Sequence, residues 1–92
     1  MIKSFANADT QQIFEEGKSR RFANILNVAE RKLTMLQAAV LLTDLRSPPG
    51  NHLEALKDDR AGQHSIRINK QWRICFVWTD EGPTNVEIVD YH

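Results

Sequence analysis

Hydrophobic and polar residues alternate through the second half of the chain. In "WRICFVWT", residues 72–79, Trp72, Ile74, Phe76 and Trp78 fall on one side of a strand, and Arg73, Cys75 and Val77 on the other. The preceding "HSIRIN" places Ile66 and Ile68 inward and Ser65, Arg67 and Asn69 outward, while in "NVEIV" Val86 and Ile88 oppose Glu87 and Val89. The breaks "NKQ" and "DEGPT" are turn chemistry, so the three runs predict an antiparallel meander. "HLEAL" ahead of them predicts a short strand, followed by the turn "KDDRAGQ".

The first half has a different period. "IKSF" alternates briefly and predicts an N-terminal strand. A short helix over about residues 10–16 follows, with Asp9 or Thr10 as its N-cap and Gly17 as its stop. In "RFANILNVAERKLTMLQAA", Phe22, Ile25, Leu26, Ala29, Leu33 and Leu36 recur every three or four residues, predicting a helix of roughly 18 residues with one apolar stripe. "VLLTDLRSPPGN" reads as a helical turn entering a rigid Pro48-Pro49-Gly50 connector that fixes the register of the next strand. These elements predict an α+β domain with its helices on one face of the sheet. The other face is left for function.

Composition narrows the class. Ninety-two residues, 41% hydrophobic and 26% charged, imply one globular domain over residues 1–92. No apolar run reaches the roughly 18 residues of a membrane span and "MIKSFANAD" has no signal-like core, so a cytoplasmic protein is expected. Cys75, the one cysteine, reads as a small buried apolar residue. The net charge is zero but segregated: residues 18–32 carry +4 and residues 46–73 carry +3, whereas the last thirteen residues hold four acids and no Lys or Arg. A basic face on a neutral whole attracts a polyanion weakly at long range.

On the face away from the helices, Arg67 and Arg73 project beside Ser65 from neighbouring strands. Two guanidinium forks on a rigid sheet match a phosphodiester, although solvated strand charges would give the same pattern. Lys57 is placed to join them. Asp58, Asp59 and Arg60 form a local charge cluster or a solvated turn. The final strand brings Asp90, Tyr91 and His92 to the end of the sheet, where a phenol and an imidazole can stack on bases or move protons. Strict alternation divides the three: Tyr91 follows Glu87 and Val89, while Asp90 and His92 follow Val86 and Ile88. His52, His64, His92 and Cys75 lack zinc-ligand spacing, and no glycine-rich phosphate loop or hydrolase motif is present. No metal or cofactor is expected.

The combination of "L-x-x-L-K-x-D-R-x-G" over residues 53–62, "S-I-R-I" followed by "W-R-I", and the closing "D-Y-H" resembles the HigB branch of the RelE superfamily of bacterial toxins. The likeness runs from "MIKSF" to the last residue. It implies a compact RelE/microbial-RNase-like fold, with two to three helices on one face of a mainly antiparallel sheet of four to five strands. It also implies a ribosome-dependent endoribonuclease of a type II toxin-antitoxin system, cutting mRNA in the ribosomal A site. The implied partners are a HigA-like helix-turn-helix antitoxin, the ribosome and mRNA, with operator DNA reached only through the antitoxin complex. Carried over by position, Lys57, Arg73, Asp90, Tyr91 and His92 are the implied catalytic residues, and Arg67, Arg60 and Glu54 the implied substrate-binding ones. Glu54 stands where some members carry a histidine, leaving Glu54 itself, or His52 two residues away on the same strand face, as the replacement. The alternatives are a non-catalytic module using the same basic face and a gyrase-directed toxin on the same fold.

Overall fold

A computed structural model describes residues 1–91. The first helix, α1 (Ala8–Glu16), starts where Asn7 turns extended and its side-chain oxygen accepts from the Thr10 amide at 2.9 Å. The predicted caps, Asp9 and Thr10, thus lie inside the first turn. Thr10 serves elsewhere: its buried hydroxyl accepts the backbone N–H of Ile88 at 3.1 Å. Gly17 ends the helix as predicted, in the left-handed region at φ 68° with its N–H on the Ile13 carbonyl.

The second helix is shorter than its periodicity predicts. The apolar stripe begins at Phe22, but Ala23–Ile25 is a 3-10 turn, and α2 proper spans Leu26–Ala38. Ser19 accepts the Phe22 amide at 3.0 Å, tightening the approach to that turn. After Ala39, a 3-10 turn over Leu42–Arg46 is capped by Asp44, whose carboxylate accepts from the amides of Val40 and Leu41, each at 2.9 Å. A third 3-10 turn, Pro49–Asn51, leads into the sheet.

The sheet has four antiparallel strands in sequence order: β1 (Glu54–Ala55), β2 (His64–Arg67), β3 (Trp72–Thr79) and β4 (Gly82–Asp90). Ile66 pairs with Ile74 and Ile74 with Ile88, aligning the inward residues of three strands. Between the Cys75–Glu87 and Val77–Thr84 pairs the register slips by one residue, at Asn85, which adopts φ 51°. Alternation alone did not reveal this bulge. The "IKSF" segment runs parallel to β4 but forms a single bridge, Phe5 to Val86, with Val86 donating to the Ser4 carbonyl and Ala6 to that of Val86.

The core fills the space between the helices and one sheet face. Ile13, Phe22, Ala29, Leu33 and Leu36 meet Ile66, Ile74, Phe76, Val86 and Ile88, all buried. Each large aliphatic or aromatic side chain so buried contributes about 1.5–3 kcal/mol. Trp72 closes one end of this layer, edge-on to Phe22 at 5.3 Å between centroids. Among the described residues, no helix is long and apolar enough to cross a membrane.

Candidate active site

Cross-strand pairing assembles two rows on the sheet face away from the helices. One runs Glu54, Ser65, Cys75, Glu87; the next runs Arg67, Arg73, Val89. Tyr91 continues the same side past the end of β4, its N–H donating to the Gln71 carbonyl at 2.7 Å. The predicted placement of Arg67 and Arg73 on a common face holds.

The predicted openness of that face does not hold at Arg73, which is only 8% exposed. Its Nε donates to Ser65 Oγ at 2.7 Å, and one terminal nitrogen donates to the carbonyls of His52 and of Ser65. The physical reason is that the side chain bends onto its neighbours, the hydroxyl and carbonyl of Ser65 on β2 and the carbonyl of His52 ahead of β1, so that a strand position facing away from the helices is nevertheless covered. All these hydrogen-bond partners are neutral oxygens, and among the described residues no carboxylate pairs with Arg73. A cation buried on neutral acceptors retains its charge for another anion, at a desolvation cost that makes its position informative. The guanidinium carbon lies 5.9 Å from the centroid of the Tyr91 ring, which is itself 40% exposed. Arg67, directly across from Arg73, is half-buried and donates from Nε to the Asn69 carbonyl at 3.1 Å. Like charges facing across a strand pair repel, favouring an anion between them.

Arg60 reaches the same face from the loop. It donates to Glu87 at 2.9 Å and to Gln63 at 3.0 Å, and the Glu87 hydrogen bond holds the guanidinium firmly in its charged form. Any contact between Arg60 and a phosphate therefore competes with Glu87. Lys57 is exposed on the turn that Arg60 anchors, and its carbonyl accepts the Arg60 amide at 3.0 Å. Glu54 is exposed in β1 opposite Ser65. Cys75 is fully buried, and desolvation pushes its thiol pKa up despite the nearby Arg60 and Arg73 charges.

The terminal residues separate as the alternation foretold. Asp90 pairs with Trp72, starting from the helix-side face, and accepts from the Gln71 side chain at 3.0 Å. Tyr91 lies with Arg73. His92, an expected catalytic residue, falls outside the described residues. His52 does not share a strand face with Glu54: it sits before β1 in the left-handed region, φ 44°, where strand alternation does not apply. Its contribution to the site is a backbone carbonyl. Sequence reasoning did not single out Glu87 as a partner for Arg60. The cue was a lone acid on the outward side of β4, in the row beside the one that holds Arg67 and Arg73.

The chain matches a family model described as the RelE-like toxin of the type II toxin-antitoxin system HigB, over residues 3–92. It is 42% identical over 82 residues to "Toxin HigB-1" of Vibrio cholerae serotype O1, a stretch covering 87% of this chain and 86% of that one. A protein of Haemophilus influenzae described as uncharacterized is 41% identical over 64 residues, 70% of this chain and 63% of that one.

Proposed function

Because the chain belongs to the HigB-like, RelE-like toxins of type II toxin-antitoxin systems, we propose that it is a ribosome-dependent endoribonuclease that cuts mRNA in the A site and is neutralised by a HigA-like helix-turn-helix antitoxin. The observation that carries the chemistry is the buried Arg73 guanidinium, held on neutral oxygens beside the exposed ring of Tyr91. In this reading the ribose 2′-oxygen attacks the adjacent phosphorus and the P–O5′ bond breaks, leaving a 2′,3′-cyclic phosphate and a 5′-hydroxyl. The phosphorane gains negative charge on its non-bridging oxygens. Arg73 stabilises it from a fixed position, and Arg67 and Lys57 add charge from exposed or half-exposed ones.

Tyr91 orients the nucleotide by stacking. The proton leaving the 2′-hydroxyl goes to a base, and the proton reaching O5′ comes from an acid. Asp90, His92 and Glu54 are the proposed members of that exchange, with Glu54 standing where some relatives use a histidine. Arg60, engaged by Glu87, is assigned to shaping the Lys57 turn and to contacting RNA when that pair opens. No metal takes part in this scheme.

Ribosome dependence is supported by charge. A chain of zero net charge with a short basic patch gains little from counterion release on free RNA, so positioning has to come from the ribosome. Primer extension on mRNA, with and without translating ribosomes, tests both parts. Cleavage confined to ribosome-bound message is expected, whereas efficient cutting of naked RNA at physiological salt would overturn the ribosome requirement.

A further inference from the structure

Arg73 is gripped from two sides that differ in rigidity. Ser65 belongs to the neighbouring strand and is fixed by the sheet register. His52 belongs to a loop, and a loop carbonyl stays in place only if something else holds the loop. That something is Asn51, one residue earlier and fully buried. Its side-chain amide donates to the carbonyls of Leu45 at 3.1 Å and Ser47 at 3.3 Å, and its backbone N–H donates to the Pro48 carbonyl at 2.9 Å. Both protons of the amide NH2 are thereby used. The amide oxygen is left needing a donor, and it receives one from Nζ of Lys32, half-buried on α2.

We propose that Lys32 and Asn51 are positioning residues for Arg73: the α2 ammonium orients the Asn51 amide, the amide fixes the connector, and the connector presents the His52 carbonyl to the guanidinium. The order of the contacts carries the argument. The Lys32 contact and the Leu45 and Ser47 carbonyls select the same orientation of the amide, because a lysine ammonium only donates and those carbonyls only accept. Without the lysine, the buried amide oxygen loses its donor, and the turn that delivers His52 loses one of the ties that hold it. Burial pushes the Lys32 ammonium pKa down, with Arg31 adding to the effect, so the hydrogen bond to Asn51 is made at a desolvation cost. Arg73 would then keep Ser65 but lose the partner that sets its tilt. Misplacing a catalytic cation by about 1 Å can cost about a hundredfold in rate.

This inference rests on the reading of Arg73 as the phosphate-stabilising group, and the experiment separates the two. Single-turnover cleavage of ribosome-bound mRNA is measured for Lys32→Met, Lys32→Arg and Arg73→Lys, and for Lys32→Met combined with Arg73→Lys, each confirmed folded by circular dichroism at the assay temperature. Lys32→Met is expected to slow the chemical step about ten- to a hundredfold while leaving the concentration of ribosomes giving half-maximal rate within about twofold. Lys32→Arg, which retains a cationic donor, should restore most of the rate. In the Arg73→Lys background, Lys32→Met should add little, because the group it positions is already gone. Should Lys32→Met not fold, Lys32→Leu, which likewise has no donor, carries the same comparison. A folded Lys32→Met enzyme at the wild-type rate overturns the proposal, as does an equal loss in both backgrounds, which would mark a general structural role. If Arg73→Ala, folded, cuts at the wild-type rate, the reading of Arg73 itself falls, whatever Lys32 does.

Discussion

The guanidinium of Arg73 lies over the ring of Tyr91, 5.9 Å from its centroid, so that the last strand and the strand before it meet in a cation–π contact at the end of the sheet. Tyr91 is tied down by its backbone as well, through the Gln71 carbonyl. Replacing Tyr91 by Phe is therefore expected to keep most activity and replacing it by Ala to remove it, with melting temperatures of both within a few degrees of wild type. Growth arrest on induced expression, read beside thermal melts, separates the two. An Ala variant that still arrests growth at equal expression would show the ring to be dispensable.

Arg73 is buried, and that changes what its replacement should do. Arg73→Ala leaves Ser65 Oγ and the His52 carbonyl without their donor, at a cost of about 1–3 kcal/mol for each buried group left unsatisfied. Arg73→Lys keeps a charge but cannot span both acceptors with a planar fork. Both variants should lose about a hundredfold or more in cleavage rate, and the Ala variant should also unfold at lower urea concentration. Equal stability of Ala and wild type in urea would contradict the buried clamp.

Gly82 opens β4 at φ 128°, and a Cβ built there would come within 2.2 Å of the Met1 carbonyl oxygen. Neither the backbone conformation nor the space admits a side chain. Gly82→Ala should destabilise the fold by about 1–3 kcal/mol from the backbone alone, more if the first residues cannot move aside. Calorimetry showing an unchanged melting temperature would mean that this approach is not present in solution.

Asp44 offers a test in pH. Its carboxylate is held below the usual range by accepting from the Leu41 and Val40 amides. The folded-state pKa is thus depressed relative to the unfolded chain. The stabilisation is fully present above the unfolded pKa and is lost as pH falls through the folded one. Asp44→Asn, which resembles the protonated acid, should be less stable than wild type at about pH 7 and converge with it as pH falls below the ordinary carboxylate value of about 4. A gap in urea midpoints that persists unchanged under acid would rule out the carboxylate as its source.

Alternation carried the sheet. The inward set Ile66, Ile74, Phe76 and Ile88, the pairing of Arg67 with Arg73, and the separation of Asp90 from Tyr91 all follow from a period of two, which depends on nothing outside each strand. Contacts made between elements were not legible. Thr10 was read as a helix cap because its chemistry suits one, and nothing local says that β4 supplies a closer donor. The burial of Arg73 depends on a loop carbonyl twenty-one residues earlier in the chain, a distance that no periodicity spans. The connector "RSPPGN" reads as rigid from its prolines, but the atom that follows it and meets Arg73, the His52 carbonyl, is a backbone atom that any residue would supply. The family motif located Lys57, Arg60 and Glu54 without distinguishing the exposed lysine from the arginine already engaged by Glu87.

The first six residues also decide how the molecule behaves in a crowd. An outer strand normally leaves alternate backbone donors and acceptors ready to recruit another chain. Along β4 they are occupied from within: Asn85 donates to the Ser4 hydroxyl, Val86 to the Ser4 carbonyl and Ile88 to Thr10, while the Pro83 carbonyl accepts from Lys3. Proline at 83 has no donor to offer. The opposite border of the sheet is a strand of two residues carrying the exposed Glu54. A chain at high local concentration thus presents little template for intermolecular strand pairing along this border, and removing its six-residue selvedge would turn a long strand into an adhesive one.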